Sequence, residues 1–168
     1  MGRMNRAAFV AAVGATLRTS ALIFTIVFGA KIFGNFISFT HVTDTLLGWV
    51  ASAGLSPYTV LLALLVVYIG LGMIMDQLAI IILTAPISYG LLTGLGFDGI
   101  WFGVILVKTA EIGLVTPPMG LNVFIASAAA GTEPRSGFVG VLPFIVTEFL
   151  ILALLVAFPQ LVTFLPAI

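Results

Sequence analysis

The length of its apolar runs constrains this chain more than any other feature. From Ala7 to Phe39 the sequence is apolar apart from Arg18 and Lys31, and further runs cover Tyr58 to Thr93, Gly99 to Val107 and Phe138 to Phe164. A helix needs about 20 apolar residues to cross a hydrocarbon core about 30 Å thick, so the first run suffices for one tilted crossing with extra turns in the interface. Composition points the same way: 7% of the residues are charged, against about 25% in a typical soluble domain. The lipid bilayer is therefore the expected solvent, and 168 residues accommodate roughly five or six crossings at most, a single membrane domain over 1–168.

Charge and cysteine content remove several classes. Six Lys or Arg balance six Asp or Glu, and no basic cluster accompanies an aromatic platform, so no nucleic acid partner is expected. The absence of cysteine excludes disulfides, thiolate metal ligation and thiol catalysis. The lone His41 has no nucleophile or metal-ligand constellation around it, so an enzyme is not expected. The basic start, Met1 to Arg6, precedes an apolar stretch that continues past Arg18, which reads as a mature crossing and not a signal peptide.

Pattern and punctuation predict an all-α polytopic membrane protein. A transmembrane helix is expected over 7–39 and an interfacial arm helix over 40–56, with Trp49 suited to the headgroup boundary. Ser56 followed by Pro57 starts a helix, the hydroxyl capping a free N–H and the proline losing nothing at the first position. The stretch 57–93 is too long for one straight crossing and is broken by Gly70, Gly72 and Asp76. Its first arm, from Pro57 to Gly72, would reach about 24 Å, less than the hydrocarbon thickness, so a re-entrant helical hairpin is expected, with Pro86 disturbing its second arm. Asp98 can cap a helix from Gly99, and Gly113, Thr116, Pro117, Pro118 and Gly120 should break it before it resumes through Asn122 to about Ala130. This is a discontinuous transmembrane helix over 98–131. Residues 131 to 137 read as a loop, and 138–165 as a final transmembrane helix carrying Pro143 and Glu148. Arg3, Arg6 and Arg135 place the N-terminus and that loop in the cytoplasm.

Irregular backbone survives at membrane depth only inside protein or beside a wet cavity. Broken helix ends present N–H groups that attract anions and carbonyls that coordinate a hard cation. Thr116 adds a hydroxyl oxygen, Asp76 a carboxylate and Asn122 an amide oxygen, a donor set suited to sodium or a proton and not to a transition metal. Plainer readings compete: Gly70 and Gly72 as close-packing positions, the double proline as a kink, Asp76 as a hairpin tip near the interface. Lys108 and Glu111, three apart on one helical face, read as a neutralised pair. Arg18, Lys31 and Glu148 read as interhelical or headgroup partners, and His41 as an interfacial side chain.

The order of the motifs is familiar. Gly72-Met-Ile-Met-Asp76, Leu83-Thr-Ala-Pro-Ile87, Ile100-Trp-Phe-Gly103 and Glu111-Ile-Gly-Leu-Val-Thr-Pro-Pro-Met-Gly-Leu-Asn122 resemble the C-terminal half of the large membrane (permease) subunit of tripartite ATP-independent periplasmic (TRAP) transporters. Arg18-Thr-Ser-Ala21 and Gly29-Ala30 with Ile32-Phe33 also look like that family. The resemblance implies half of an elevator-type, inverted-repeat transporter of the cell inner membrane, importing organic acids such as C4-dicarboxylates or sialic acids with sodium as coupling ion and no cofactor. It implies a periplasmic solute-binding protein, a small membrane subunit and the N-terminal half of the large subunit as partners. By the same resemblance Gly72, Asp76, Gly113, Thr116, Pro117 and Gly120 contribute a sodium site, and Thr116 and Asn122 face substrate. Another elevator-type divalent-anion/sodium symporter, or a non-transporting membrane assembly subunit, are the alternatives.

Overall fold

The computed structural model describes residues 5–164. Arg3 of the basic start and Leu165 at the end of the expected last helix lie outside them. The described residues form helices α1 (Arg6–Thr40), α2 (Val42–Ser52), α3 (Pro57–Gly72), α4 (Gln77–Gly94), α5 (Gly99–Val115), α6 (Leu121–Ala130), α7 (Pro134–Ala157) and the short α8 (Gln160–Thr163). Three of them, α1, α4 and α7, are long and apolar enough to cross a membrane, while α3 and α6 are apolar but shorter.

Helix starts follow local chemistry. Ser56 accepts a hydrogen bond from the Thr59 amide with Pro57 in the first turn, and Asp76 and Asp98 cap α4 and α5 through the amides of Leu78 and Trp101. Such caps occupy amides that have no partner within the helix. His41, in a left-handed conformation, separates α1 from α2. Its ring lies 3.0 Å from Asp44, and both side chains are exposed.

α5 is the centre of the molecule, packing against α3, α4, α6, α7 and α8. Trp101, Phe102 and Ile105 of α5 are all but fully buried with Leu61 and Tyr68 of α3 and Ile80 and Leu92 of α4. α3 and α4 run antiparallel: Tyr58 at the start of α3 stacks edge-on against Phe97 just beyond α4, and Phe97 stacks on Trp101. The indole N–H of Trp101 donates to the Leu155 carbonyl of α7 at 2.8 Å. These contacts define the hairpin base, and Met73–Asp76 is its tip.

Two proline effects depart from expectation. α4 continues through Pro86 without interruption; the missing amide bond is tolerated where the helix is packed by neighbours. α7 begins at Pro134, not Phe138, because proline suits the first helical turn, so only Gly131–Glu133 remain as loop. It ends at Ala157, where Phe158 is pushed to a non-helical conformation (φ −126°, ψ 74°) by the proline that follows.

The outer surface is apolar: Phe24 and Phe28 of α1 and Phe144 and Leu150 of α7 are each at least 66% exposed. Hydroxyls on these helices turn inward to their own backbone, Thr16, Thr19, Thr25 and Thr147 each donating to the carbonyl four residues back. That satisfies them without water, as a hydrocarbon solvent demands.

Candidate functional site at a helix break

The hairpin tip rests on the end of α5 through two glycines. A Cβ on Gly72 would lie 2.8 Å from the Gly113 Cα and 2.9 Å from the Ala110 carbonyl oxygen. A Cβ on Gly113 would lie 2.6 Å from the Gly72 Cα and 2.8 Å from the Ile69 carbonyl oxygen. The two backbones are in direct contact, and only glycine fits either place. Gly70 faces open space, so of the two candidate packing glycines in α3 only Gly72 has that role.

Beyond Gly113 the helix stops. Thr116 is extended (φ −86°, ψ 134°), the Pro117–Pro118 peptide is cis, and Gly120 is left-handed (φ 43°) before α6 begins without a side-chain cap. Neither proline has an N–H to continue the ladder. Gly120 is conformationally required and sterically enclosed, since a Cβ there would meet the Phe138 ring at 2.6 Å. The Thr116 hydroxyl donates to the Ile112 carbonyl at 2.5 Å, which commits its proton and leaves the oxygen lone pairs free to accept.

A cleft of about 320 Å³ opens beside the break, and its polar lining comes from four elements: Gln77 at the start of α4, Glu111 of α5, Asn122 in the first turn of α6 and Glu148 of α7. Gln77 and Asn122 therefore bring the hairpin tip and the restarted helix to one space. Asp76 and Thr116 are not among the lining residues; Asp76 is exposed and holds the Leu78 amide at 3.0 Å. Pro117 and Pro118 line a different, mostly apolar pocket between α6 and α7. Of the residues singled out from sequence, the fold unites Gly72 with Gly113 by contact and brings Asn122 beside the hairpin tip.

Gln77 carried no sequence signal beyond its place after the Asp76 cap. The ion pairing contains the expected Lys108–Glu111 contact at 3.5 Å and gives the interhelical reading of Glu148 its partner, Lys108 at 2.5 Å. Glu148 is thus an interhelical partner, while the Lys108–Glu111 pair is the longer of the two. An acid within an apolar helix signals a partner, but a contact across forty residues has no local pattern that names it. Among the described residues no group of three or more His, Cys, Asp or Glu is arranged to hold a metal ion.

Comparison with known proteins gives a consistent pattern. Residues 1–161 match the family described as tripartite ATP-independent periplasmic transporter, DctM component. The C4-dicarboxylate TRAP transporter large permease protein DctM of Pseudomonas aeruginosa is 35% identical over 143 residues, covering 85% of this chain and 32% of that protein. The sialic acid TRAP transporter large permease protein SiaM of Vibrio cholerae is 28% identical over 158 residues, 94% of this chain and 37% of its own length. The isethionate TRAP transporter permease protein DctMQ of Oleidesulfovibrio alaskensis is 33% identical over 150 residues, 89% and 22% respectively. The chain thus spans between 22% and 37% of the length of these relatives.

Proposed function

Because this chain belongs to the DctM-component family of tripartite ATP-independent periplasmic transporters, we propose that it forms part of the large permease of a sodium-coupled importer of small organic anions. The observation that carries this reading is the Gly72–Gly113 contact, which sets the tip of a helical hairpin against a helix break. In this reading α3 and α4 form a re-entrant hairpin and α5 with α6 one discontinuous crossing. The lengths support it. α5 and α6 together extend about 40 Å and α3 about 24 Å, so a hairpin that starts level with α5 ends level with the break, inside the bilayer.

The break supplies chemistry for both charges. The carbonyls that end α3 and α5, the Thr116 oxygen and the Asp76 carboxylate are hard oxygen donors suited to sodium. Gly72, Gly113, Pro117 and Gly120 shape the backbone that offers them. The N-terminus of α6, without a side-chain cap and with Asn122 in its first turn, carries partial positive charge that suits a carboxylate or similar anion. The relatives' names mention C4-dicarboxylates, sialic acid and isethionate, and the substrate proposed here is an anion of that kind.

Family membership supports the remaining elements without fixing them. The chain represents the C-terminal half of the large subunit, one repeat of an elevator-type transporter in the cell inner membrane. Its partners are the N-terminal half, a small membrane subunit and a periplasmic solute-binding protein. Sodium coupling requires the ion to favour one arrangement of the hairpin over another.

The test is a sodium titration of uptake by the complete reconstituted transporter carrying Thr116→Ala. Losing one oxygen donor should raise the half-saturating sodium concentration by about tenfold, equivalent to about 1.4 kcal/mol. A titration that matches the parent protein would contradict Thr116 as a donor, and uptake indifferent to sodium in the parent would contradict the coupling.

A further inference from the structure

We propose that the Lys108–Glu148 pair is a strut between α5 and α7 that sets the position of the α5–α6 break and thereby the sodium affinity of the site beside it. The ion-affinity part rests on the sodium reading above. The positional part stands on the packing alone.

α7 runs unbroken alongside both pieces of the discontinuous helix. Above the break Phe138 packs on Gly120 and, edge-on, on Phe124, and Gly137 abuts Ser127. Below it Glu148 holds Lys108 at 2.5 Å, and further down Leu155 accepts from Trp101. Two pieces of helix separated by prolines keep their alignment only if something continuous bridges them, and α7 does so. Its contacts above the break are uncharged packing contacts. Below, the first fastening with a direction and a charge is the Lys108–Glu148 pair.

That pair is not a simple two-body bridge. Lys108 also reaches Glu111 at 3.5 Å, and the Glu111 side chain is 51% exposed at the cleft it shares with Gln77 and Asn122. One cation thus serves two carboxylates on two helices. While Lys108 stays on Glu148, Glu111 presents a weakly compensated negative charge to the cleft. Removing either Lys108 or Glu148 unties α5 from α7 at this level and frees the lower piece of the broken helix to shift, whichever charge is lost. Lys108 and Glu148 act here as positioning residues, not as ligands of the ion.

The experiment uses the complete reconstituted transporter in four forms: parent, K108M, E148Q and the exchange K108E/E148K. Two quantities are read, the half-saturating sodium for uptake and the distance between spin labels at Ile74 on the hairpin tip and Ile125 on α6. Both sites are exposed, these 168 residues contain no cysteine, and any cysteine elsewhere in the transporter is replaced before labelling. Each single variant should raise the sodium midpoint by about tenfold and broaden the label distance, and the exchange should return the midpoint to within about threefold and narrow the distance. A parent that responds to sodium alongside single variants with its midpoint and its distance overturns the strut, as does an exchange that restores neither. Distances that move while midpoints do not overturn its link to the ion. A parent indifferent to sodium removes the coupling reading instead, and the strut then stands or falls on the label distances.

Discussion

At Gly113 one methyl group decides whether two helix backbones can touch. An added Cβ would meet backbone atoms at 2.6 and 2.8 Å, and backbone cannot step aside as the end of a flexible side chain can. Gly113→Ala and Gly72→Ala should therefore each destabilise the protein by about 1–3 kcal/mol through overpacking and abolish most uptake. Gly70→Ala, facing open space, should leave both unchanged. Thermal unfolding in detergent together with uptake separates the three, and equal behaviour at positions 70 and 113 would contradict the backbone contact. The sequence placed a glycine pair in α3 but did not distinguish its members, because which of two nearby glycines faces a neighbour depends on a helix forty residues away. Capping was more legible: Ser56 and Asp98 act within their own first turns, so no distant information is needed, whereas Asp76, read as a carboxylate donor or hairpin tip, also caps α4. Asp98→Ala should cost about 1 kcal/mol of stability, read as a lowered unfolding temperature, and an unchanged transition would contradict its role.

Elements show the same division between local and distant causes. The positions of α3 to α6 follow from apolar runs and from Gly, Pro and capping residues, whereas α1 and α2 are divided by His41 in a left-handed conformation. The start of α7 did not, because the polar residues Arg135, Ser136 and Gly137 look like loop while Pro134 makes them a first helical turn. Pro86 misled in the opposite direction: it reads as a disturbance, yet α4 passes through it and uses its ring as a contact surface, with a Cβ on Gly34 falling 3.6 Å from the Pro86 Cγ. That contact lies where α1 docks on the hairpin, near Ile37, the buried residue of α1. Gly34→Ala should be accepted, since 3.6 Å is ordinary van der Waals contact. Gly34→Leu should push α1 away from α4. Disulfide trapping between cysteines introduced at Ile37 and neighbouring positions of α4 reads the separation: the alanine variant should cross-link like the parent and the leucine variant at least several-fold less, whereas equal trapping would contradict the docking.

For the whole molecule, the apolar exterior, the self-satisfied hydroxyls and the central, enclosed α5 are what a protein dissolved in lipid requires. Membrane class was legible from composition because burial in hydrocarbon acts on every residue at once. The site was legible only in part: the break announced itself through Thr116, Pro117, Pro118 and Gly120, but the cleft that joins Gln77, Asn122, Glu111 and Glu148 arises from four helices meeting, which no single segment encodes. The proposed mechanism requires the hairpin tip to end within the bilayer at the level of that break. Spin labels on single cysteines at Ser56, Ile74 and Thr132 of the reconstituted transporter measure this by their immersion depths. Ser56 is expected at one interface, Thr132 at the other and Ile74 between them. Ile74 found level with Thr132 would make α3 and α4 ordinary crossings and contradict it.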